Sequence, residues 1–558
     1  MIQPNPFLAF RLKHGKNFRI ILEAEFEYNQ AREISNSFFN RKPKAVAYPR
    51  NTADVAACIA FCKEHKKPFR VRSGGHNHEG MSSLDEGLVI RMSDMSMIQY
   101  EYMSEPKDRK SVDPISAWIG VGTKLGTVYN ELEKLNMIIP AGGCFTVNTG
   151  GLALGGGWGM HSRKHGLTCD NLLAIELVTA KGEPLTVTPE SDAELFRALC
   201  GGGQGNFGVV TRLQLRLHRI GANQTWFRFG WNADKREEVA REWMNVQSSF
   251  PKELTSFVRM SVTRPGDDKT KENRAKEFPI YAGGLFYGTK EDLKALEGIK
   301  ALLDITKPVR IEWQASRVAD IFSTITNGLI PETIYSLFGY DEFTMGLVGG
   351  MDFDTSNGDC VLPAPPSVNC NAPHPHKVSS AFPKGDGPEF NKRMAAAVAS
   401  YLNGSAFDPN VRSYMTFHAM GGAIKDEPTA GRAFPWANKE FLLQFQSWWN
   451  YPEDQTSKDG EACMAEIKRK EEAFINWVKH FRGALAYHDL VEGAFINFVD
   501  KDLPAKDKNT LLAHYFGKPD QLERLMEVKQ RIDPKDQFNF PMSIPLPELK
   551  KSSESSKV

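Results

Sequence analysis

The stretch FRVRSGGHNHEGMSS, Phe69 to Ser83, sets two histidines, a glutamate and two arginines around a Gly-Gly pair, directly after an apolar strand-like run. His76 and His78 are of a type that ligates metal, but a metal site needs further ligands at matching spacing. The glycines point instead to a backbone that approaches a bound group closely. A second stretch, PAGGCFTVNTGGLALGGGWGMHSRKHGLTCDN, Pro140 to Asn171, is denser still in glycine. Such runs leave backbone N–H groups free to face an anion. Within it Gly155-x-Gly157-x-Gly159 is not the dinucleotide G-x-G-x-x-G, follows no clean strand and precedes no ribose-binding acid, which argues against a nicotinamide Rossmann unit. A third piece, CGGGQGNFGVVTRL from Cys200 to Leu213, repeats the theme. Three Gly-rich turns in one region suggest a single large cofactor carrying a diphosphate.

These turns need a scaffold, and the surrounding pattern supplies one. Residues 43–220 carry short β-like runs (AVAYP, FRVRS, GLVIRM, AWIGVG, LLAIELVTA, GVVTRLQLRL) and one helical pattern, NTADVAACIAFCKEH, after an Asn/Thr cap signal. From about residue 221 longer amphipathic helices alternate with strands such as VRSYMTFHAMGGAI and FLLQFQSWW. The fold class read from this is α+β: a first unit over 1–220 with its core at 43–218, and a second over 221–485 built as an antiparallel sheet covered by helices. A returning segment covers 486–545, and 546–558 is expected to be a disordered tail. Residues 356–376 read as a Pro/Asn-rich loop.

The bulk numbers narrow the classes. At 558 residues, 41% hydrophobic and 25% charged, the chain is of globular composition and long enough for two lobes. A net charge of +1 gives no support for a nucleic-acid partner. No apolar run is long enough for a membrane span, and the N-terminus lacks a signal-peptide pattern, so a cytoplasmic location is expected. The eight cysteines form no CxxC pair, which argues for reduced thiols. His161 and His165 stand at i and i+4, a chelating spacing, but are read as structural. His374 and His376 are read as solvated or pocket-lining.

Taken together, the segments resemble the FAD-binding half of the vanillyl-alcohol-oxidase (PCMH-type) flavoproteins, in particular the berberine-bridge-enzyme-like group. R-x-R-S-G-G-H, P-A-G-x-C, the G-G-x-x-x-G-G-G-x-G-x-x-S-R-K-x-G-L-x-x-D-N run and G-G-x-G-N-F-G-V-V all occur in order. The closing DPKDQFNFPMSIP, Asp533 to Pro545, resembles that group's last segment. The resemblance implies FAD bonded twice, through His76 to the 8α-methyl and through Cys144 to carbon 6 of the ring. It also implies cofactor contacts from Arg72, Ser73, Gly74, Gly75, Asn77, Gly80, Met81 and Ser82 in the first motif. The second would contribute Gly142, Thr146, Gly150, Gly151, Gly155, Gly156, Gly157, Gly159, His161, Gly166, Asp170 and Asn171. Gly208, Val210 and Phe538 complete the set. No metal is expected.

The implied reaction is hydride removal from a C–H next to oxygen or nitrogen in a small organic substrate, with electrons passed to dioxygen to give hydrogen peroxide. The group's Y-x-N-Y strand reads FINF here, so Phe495 and Phe498 replace both phenols and Asn497 remains. The Glu or Gln of a second strand is Gln444. Neither position ionises. Strand alternation puts Arg412, Tyr414, Thr416 and His418 on one face, making Tyr414 and His418 candidates for the missing base. The small Ala153, between Leu152 and Leu154, is read as the oxygen gate. A carbohydrate oxidase is the nearest rival reading. A metal-dependent enzyme and a catalytically silent flavin binder are the others.

Overall fold

The computed structural model describes residues 5–103, 113–262, 278–316, 374–406, 408, 411–449, 451, 458–517 and 519–548. Most of the Pro/Asn-rich loop and of the tail therefore lies outside the described residues. Four sheets carry the architecture. A four-stranded mixed sheet orders Arg19–Leu22, Ala45–Tyr48, Leu88–Arg91 and Phe69–Arg72. Its apolar strands are buried because the helix Thr52–Glu64 belongs to the same core. That helix starts where Asn51 accepts the Asp54 N–H, the cap read in the sequence. A five-stranded antiparallel sheet follows, with Val209–Arg216 central between Ser116–Gly120 and Leu172–Val178.

The third large element is an eight-stranded sheet running from Arg310–Ser316 at one edge to Val491–Glu492 at the other. Its two faces do different work. Met415, Phe417 and Ala419 of Val411–Ala419 point with Leu443 and Phe445 into an apolar layer under helices. That layer takes Trp243 from Arg236–Gln247, Val398 from Pro388–Gly404, and Phe481 from the long helix Lys458–Tyr487. Each such side chain contributes about 1.5–3 kcal/mol by leaving water. The intervening residues Tyr414, Thr416, His418, Gln444 and Gln446 face the opposite way, toward the Gly-rich turns. This polar face is buried, not a solvated outer face.

The last segment closes back onto the first unit. Lys529 and Asp533 are fully buried and paired at 2.7 Å, and Lys529 also donates to the carbonyls of Asn206 and Phe538. FINF is a short 3-10 turn, Ile496–Phe498, where a strand was expected. Cys58, Cys62, Cys144, Cys169 and Cys200 carry thiols. Cys463 is disulfide-bonded, which corrects the expectation of reduced thiols there. Disulfide pairing follows proximity in space, which spacing along the chain does not reveal. No described helix is long and apolar enough to cross a membrane.

Three chain segments meet at one cation. Lys377 Nζ lies 2.5 Å from Glu79, 2.6 Å from Asp500 and 3.0 Å from Asp502. Those carboxylates have the spacing of a metal site, but a protein ammonium already sits among them. Lys377→Met would strand Asp500 as a buried, uncompensated charge and leave Glu79 only the more distant Lys501, at 3.6 Å. The expected cost is about 3–5 kcal/mol, seen as a lower midpoint in urea denaturation followed by tryptophan fluorescence.

Candidate cofactor and substrate site

A cavity of about 340 Å³ lies where the Gly-rich turns meet the polar face of the large sheet. One wall is backbone. Gly74, Gly75, Gly142, Gly150, Gly151 and Gly208 line it, with Ser73, Asn77, Met81, Ser82, Val210 and Phe538. Asn77 shapes the first turn by accepting the N–H groups of Glu79 and Met81, and Ser73 is tied to the Val121 carbonyl at 2.6 Å. His76 and Cys144 both reach this wall. His76 Nε2 is 3.1 Å from Thr146 Oγ1. Burial pushes the imidazole down to about 4, so it is neutral near pH 7 and offers a lone pair.

Two features fit this wall to a large polar cofactor such as FAD. Ser82 and Asn148 line the cavity, and their Oγ and Oδ1 atoms are buried with no hydrogen-bond partner among the described residues. Buried polar atoms of that kind ask for a ligand group. Among the described residues Arg70 is the single lysine or arginine on the lining and places a permanent cation there.

The opposite wall is made by side chains. His418 Nε2 and Gln444 Oε1 are 2.8 Å apart, and Trp158 stacks edge-on to His418 at 4.6 Å. Gln446 accepts from Tyr414 at 3.2 Å and from Trp448 at 2.9 Å. Asn497 donates to the Leu152 carbonyl at 3.0 Å and accepts from Gln204 at 2.7 Å. Phe495 and Phe498 pack edge to face at 5.3 Å beside it. His78 Nδ1 is 3.0 Å from His376 Nε2, and His376 stacks on Trp448 at 3.9 Å. His376 is thus buried, not solvated.

Several expected cofactor contacts lie off the wall. Arg72 turns away and donates to the carbonyls of Ala31, Arg32 and Glu33, so it pairs with backbone and not with a phosphate. The Gly155–Gly159 run serves close packing of the protein on itself. A Cβ at Gly155 would come within 1.9 Å of Asn497 Oδ1, at Gly157 within 2.3 Å of Thr168, and at Gly159 within 1.8 Å of the Ala141 carbonyl. Gly156 packs on Phe495 and Gly80 on Phe39. Gly166 turns with φ +83 against Asp170, whose carboxylate is ion-paired to Arg432 at 2.7 Å. Burial pushes Asp170 up, and Arg432 opposes the shift. Asn171 accepts from His218 at 2.6 Å, and His161 bonds Tyr287 at 2.6 Å. Tyr414 sits behind Gln446 with its ring under the Arg259 guanidinium at 3.6 Å. Ala153 is buried in the core between the lining residues Leu152 and Leu154.

Arg70, Asn148, Gln204, Gln446 and Trp158 are on the wall and escaped the sequence reading. Alternation with Gln444 along FLLQFQSWW would have found Gln446. Arg70 shares its R-x-R motif with Arg72, and nothing in the sequence ranks one above the other.

Comparison with known proteins adds independent information. Residues 43–188 match the model described as FAD binding domain, and 494–545 the model described as berberine and berberine-like. The FAD-linked oxidoreductase YgaK of Bacillus subtilis is 28% identical over 94% of this chain and 96% of its own. Berberine bridge enzyme-like 14 of Arabidopsis thaliana is 26% identical over 91% and 86%. Among solved structures, the BBE-like 1 protein of Physcomitrella patens superposes with a TM-score of 0.74 at 22% identity, covering 97% of this chain and all of its own.

Gly155→Ala should displace the Asn497 amide and break both its hydrogen bonds, lowering stability by about 1–3 kcal/mol. Gly483→Ala, in the long helix with nothing within 4 Å, should instead stabilise by about 0.5–1 kcal/mol. Thermal melting of the two variants checks the contrast.

Proposed function

Because this chain belongs to the berberine-bridge-enzyme-like FAD-linked oxidoreductases, we propose that it is an oxidase with FAD bonded to both His76 and Cys144. Bound FAD supplies a two-electron acceptor. The observation that carries the reading is the meeting of His76 and Cys144, from two distant turns, on the wall of one cavity. Neutral His76 has the lone pair that attachment requires. Gly142 and Gly143 precede Cys144 and keep bulk away from its sulfur.

The substrate lies against the opposite wall. Gln444 and His418, joined through Nε2 and Oε1, fix one polar edge, and Asn497, held by Gln204 and Leu152, fixes another. Phe495, Phe498, Trp158 and Trp448 supply apolar surface between them. This combination suits a small aromatic or alicyclic natural product whose oxidised carbon bears oxygen or nitrogen. FAD held at His76 and Cys144 would supply the acceptor for a hydride from that carbon, and dioxygen would be the final electron acceptor, giving hydrogen peroxide. A second reading is favoured by the amides Gln204, Gln444, Gln446 and Asn497 on the lining. They would bind the hydroxyls of an aldose or oligosaccharide. Chitooligosaccharide oxidase shares the fold, with a TM-score of 0.71.

The test is absorbance before and after acid precipitation, with mass analysis of the peptides holding His76 and Cys144, and peroxide release across aldoses and natural-product alcohols. Yellow colour that stays in the pellet on a bridged peptide pair, with peroxide from one substrate class, is expected. Colour that washes out overturns the attachment. His76→Ala and Cys144→Ala should each keep the colour in the pellet through the remaining bond, and the double variant should release it.

A further inference from the structure

We infer that His78 is the proton acceptor for a hydroxyl-bearing substrate in this cavity, and that His376 is the positioning residue that fixes its tautomer. The inference rests on the flavin-oxidoreductase reading above and narrows its substrate to an alcohol carbon.

Hydrogen-bond polarity dictates the tautomers. His376 Nδ1 is 2.9 Å from the His374 carbonyl, which can only accept, so Nδ1 carries the proton. Neutral His376 then presents a lone pair at Nε2. His78 Nδ1, 3.0 Å from that Nε2, must be the donor. A neutral His78 is left with its lone pair at Nε2, the arrangement in which a second group orients a catalytic base. His78 lines the cavity, and its Nε2 is not among the buried polar atoms lacking a partner, so it is open to the cavity. Asn36 anchors the arrangement, donating to the carbonyls of His78 and His376 at 2.6 and 3.0 Å and accepting the His376 N–H at 3.1 Å.

The location matches the lost function. Phe498 stands where the family pattern has a phenol, and the rings of His78 and His418 flank it at 6.0 and 6.2 Å. His418 already spends Nε2 on Gln444. In the step, the substrate O–H bond breaks and its proton goes to His78 Nε2. The carbinol C–H bond breaks, and its hydrogen leaves with two electrons to the FAD. A carbonyl forms; the alcohol is oxidised and the cofactor reduced.

The groups facing His78 are His76 on its own loop and His376 and Lys377 on the strand His376–Pro383. Burial, His76 and Lys377 lower His78 to about 3. The base form therefore persists well below the ordinary histidine value of 6.5, and the acid limb of flavin reduction should fall on the acid side of it.

Two measurements on the holoenzyme test this. Diethyl pyrocarbonate labelling near pH 7 with peptide mass mapping should modify His78 and spare His376, and an unlabelled His78 overturns the open Nε2. Anaerobic flavin bleaching should then be followed with the aldoses and alcohols used above. His78→Gln should slow bleaching by about 100-fold or more and abolish the acid limb, with flavin still attached and its spectrum unchanged. His376→Ala should slow it about tenfold or more through loss of the tautomer. His376→Gln, whose amide oxygen still accepts from Nδ1, should restore the rate. Bleaching of His78→Gln at the wild-type rate overturns the proposal. So does a yellow wild type that amines bleach and no alcohol does, an outcome that leaves the FAD reading standing. A colourless protein fails that reading instead.

Discussion

The site is organised around a buried ammonium. Burial works against the charge of Lys377, and Asp500 and Glu79 more than offset it, so the ammonium is held well above its ordinary range. Each of its carboxylates comes from a chain segment that contributes to the cavity. Glu79 follows the His76–His78 turn, Asp500 follows the FINF turn, and Lys377 stands on the sheet strand between them. Such a cluster adds little net stability over an apolar one. Its value lies in geometry, since no member can move without exposing the others to an unpaired charge. Consecutive residues of one strand therefore grip consecutive residues of one turn: His376 holds His78 and Lys377 holds Glu79.

The glycines divide into two populations that sequence alone presents as one. Those lining the cavity remove side chains from the surface a cofactor meets. Those at 155–159 remove side chains from a contact within the protein, where Asn497, Thr168 and the Ala141 carbonyl press against backbone. The second group acts on the site indirectly. Without it the turn bearing Asn497 could not approach the helix Thr149–Leu154, whose Leu152 carbonyl and neighbouring Gln204 orient the amide.

This division explains what was legible in the sequence. Strand runs such as AVAYP and GVVTRLQLRL and the capped helix at Thr52 follow from local periodicity, and they appear where read. His76 and Cys144, which line the cavity, stand in contiguous motifs that can be read along the chain. Arg72, His161 and Asp170 were misplaced for the opposite reason. Each sits inside a motif, yet its partner is a backbone run or a residue far away, as Arg432 is for Asp170. Gln204 and the His78–His376 pair depend on contacts between remote segments, which no spacing rule encodes. The FINF turn was read as a strand because the resemblance supplied the Y-x-N-Y strand, and four residues carry too little periodicity of their own to correct it.

The loss of two phenols need not mean the loss of proton transfer. A buried phenol and a buried neutral imidazole solve the same problem from opposite sides. The phenol must lose its proton before it can accept one, and burial makes that harder, as it does for Tyr129 here. A neutral histidine is already a base, and burial keeps it neutral. What burial then penalises is the protonated product, unless another group shares the charge. His376, hydrogen-bonded onward to the His374 carbonyl, offers that sharing without a formal negative charge. A neutral relay suits a cavity whose other polar lining is mostly amide. The ion pairs of Lys377 with Glu79 and Asp500 lie behind it, since none of these three residues is on the lining.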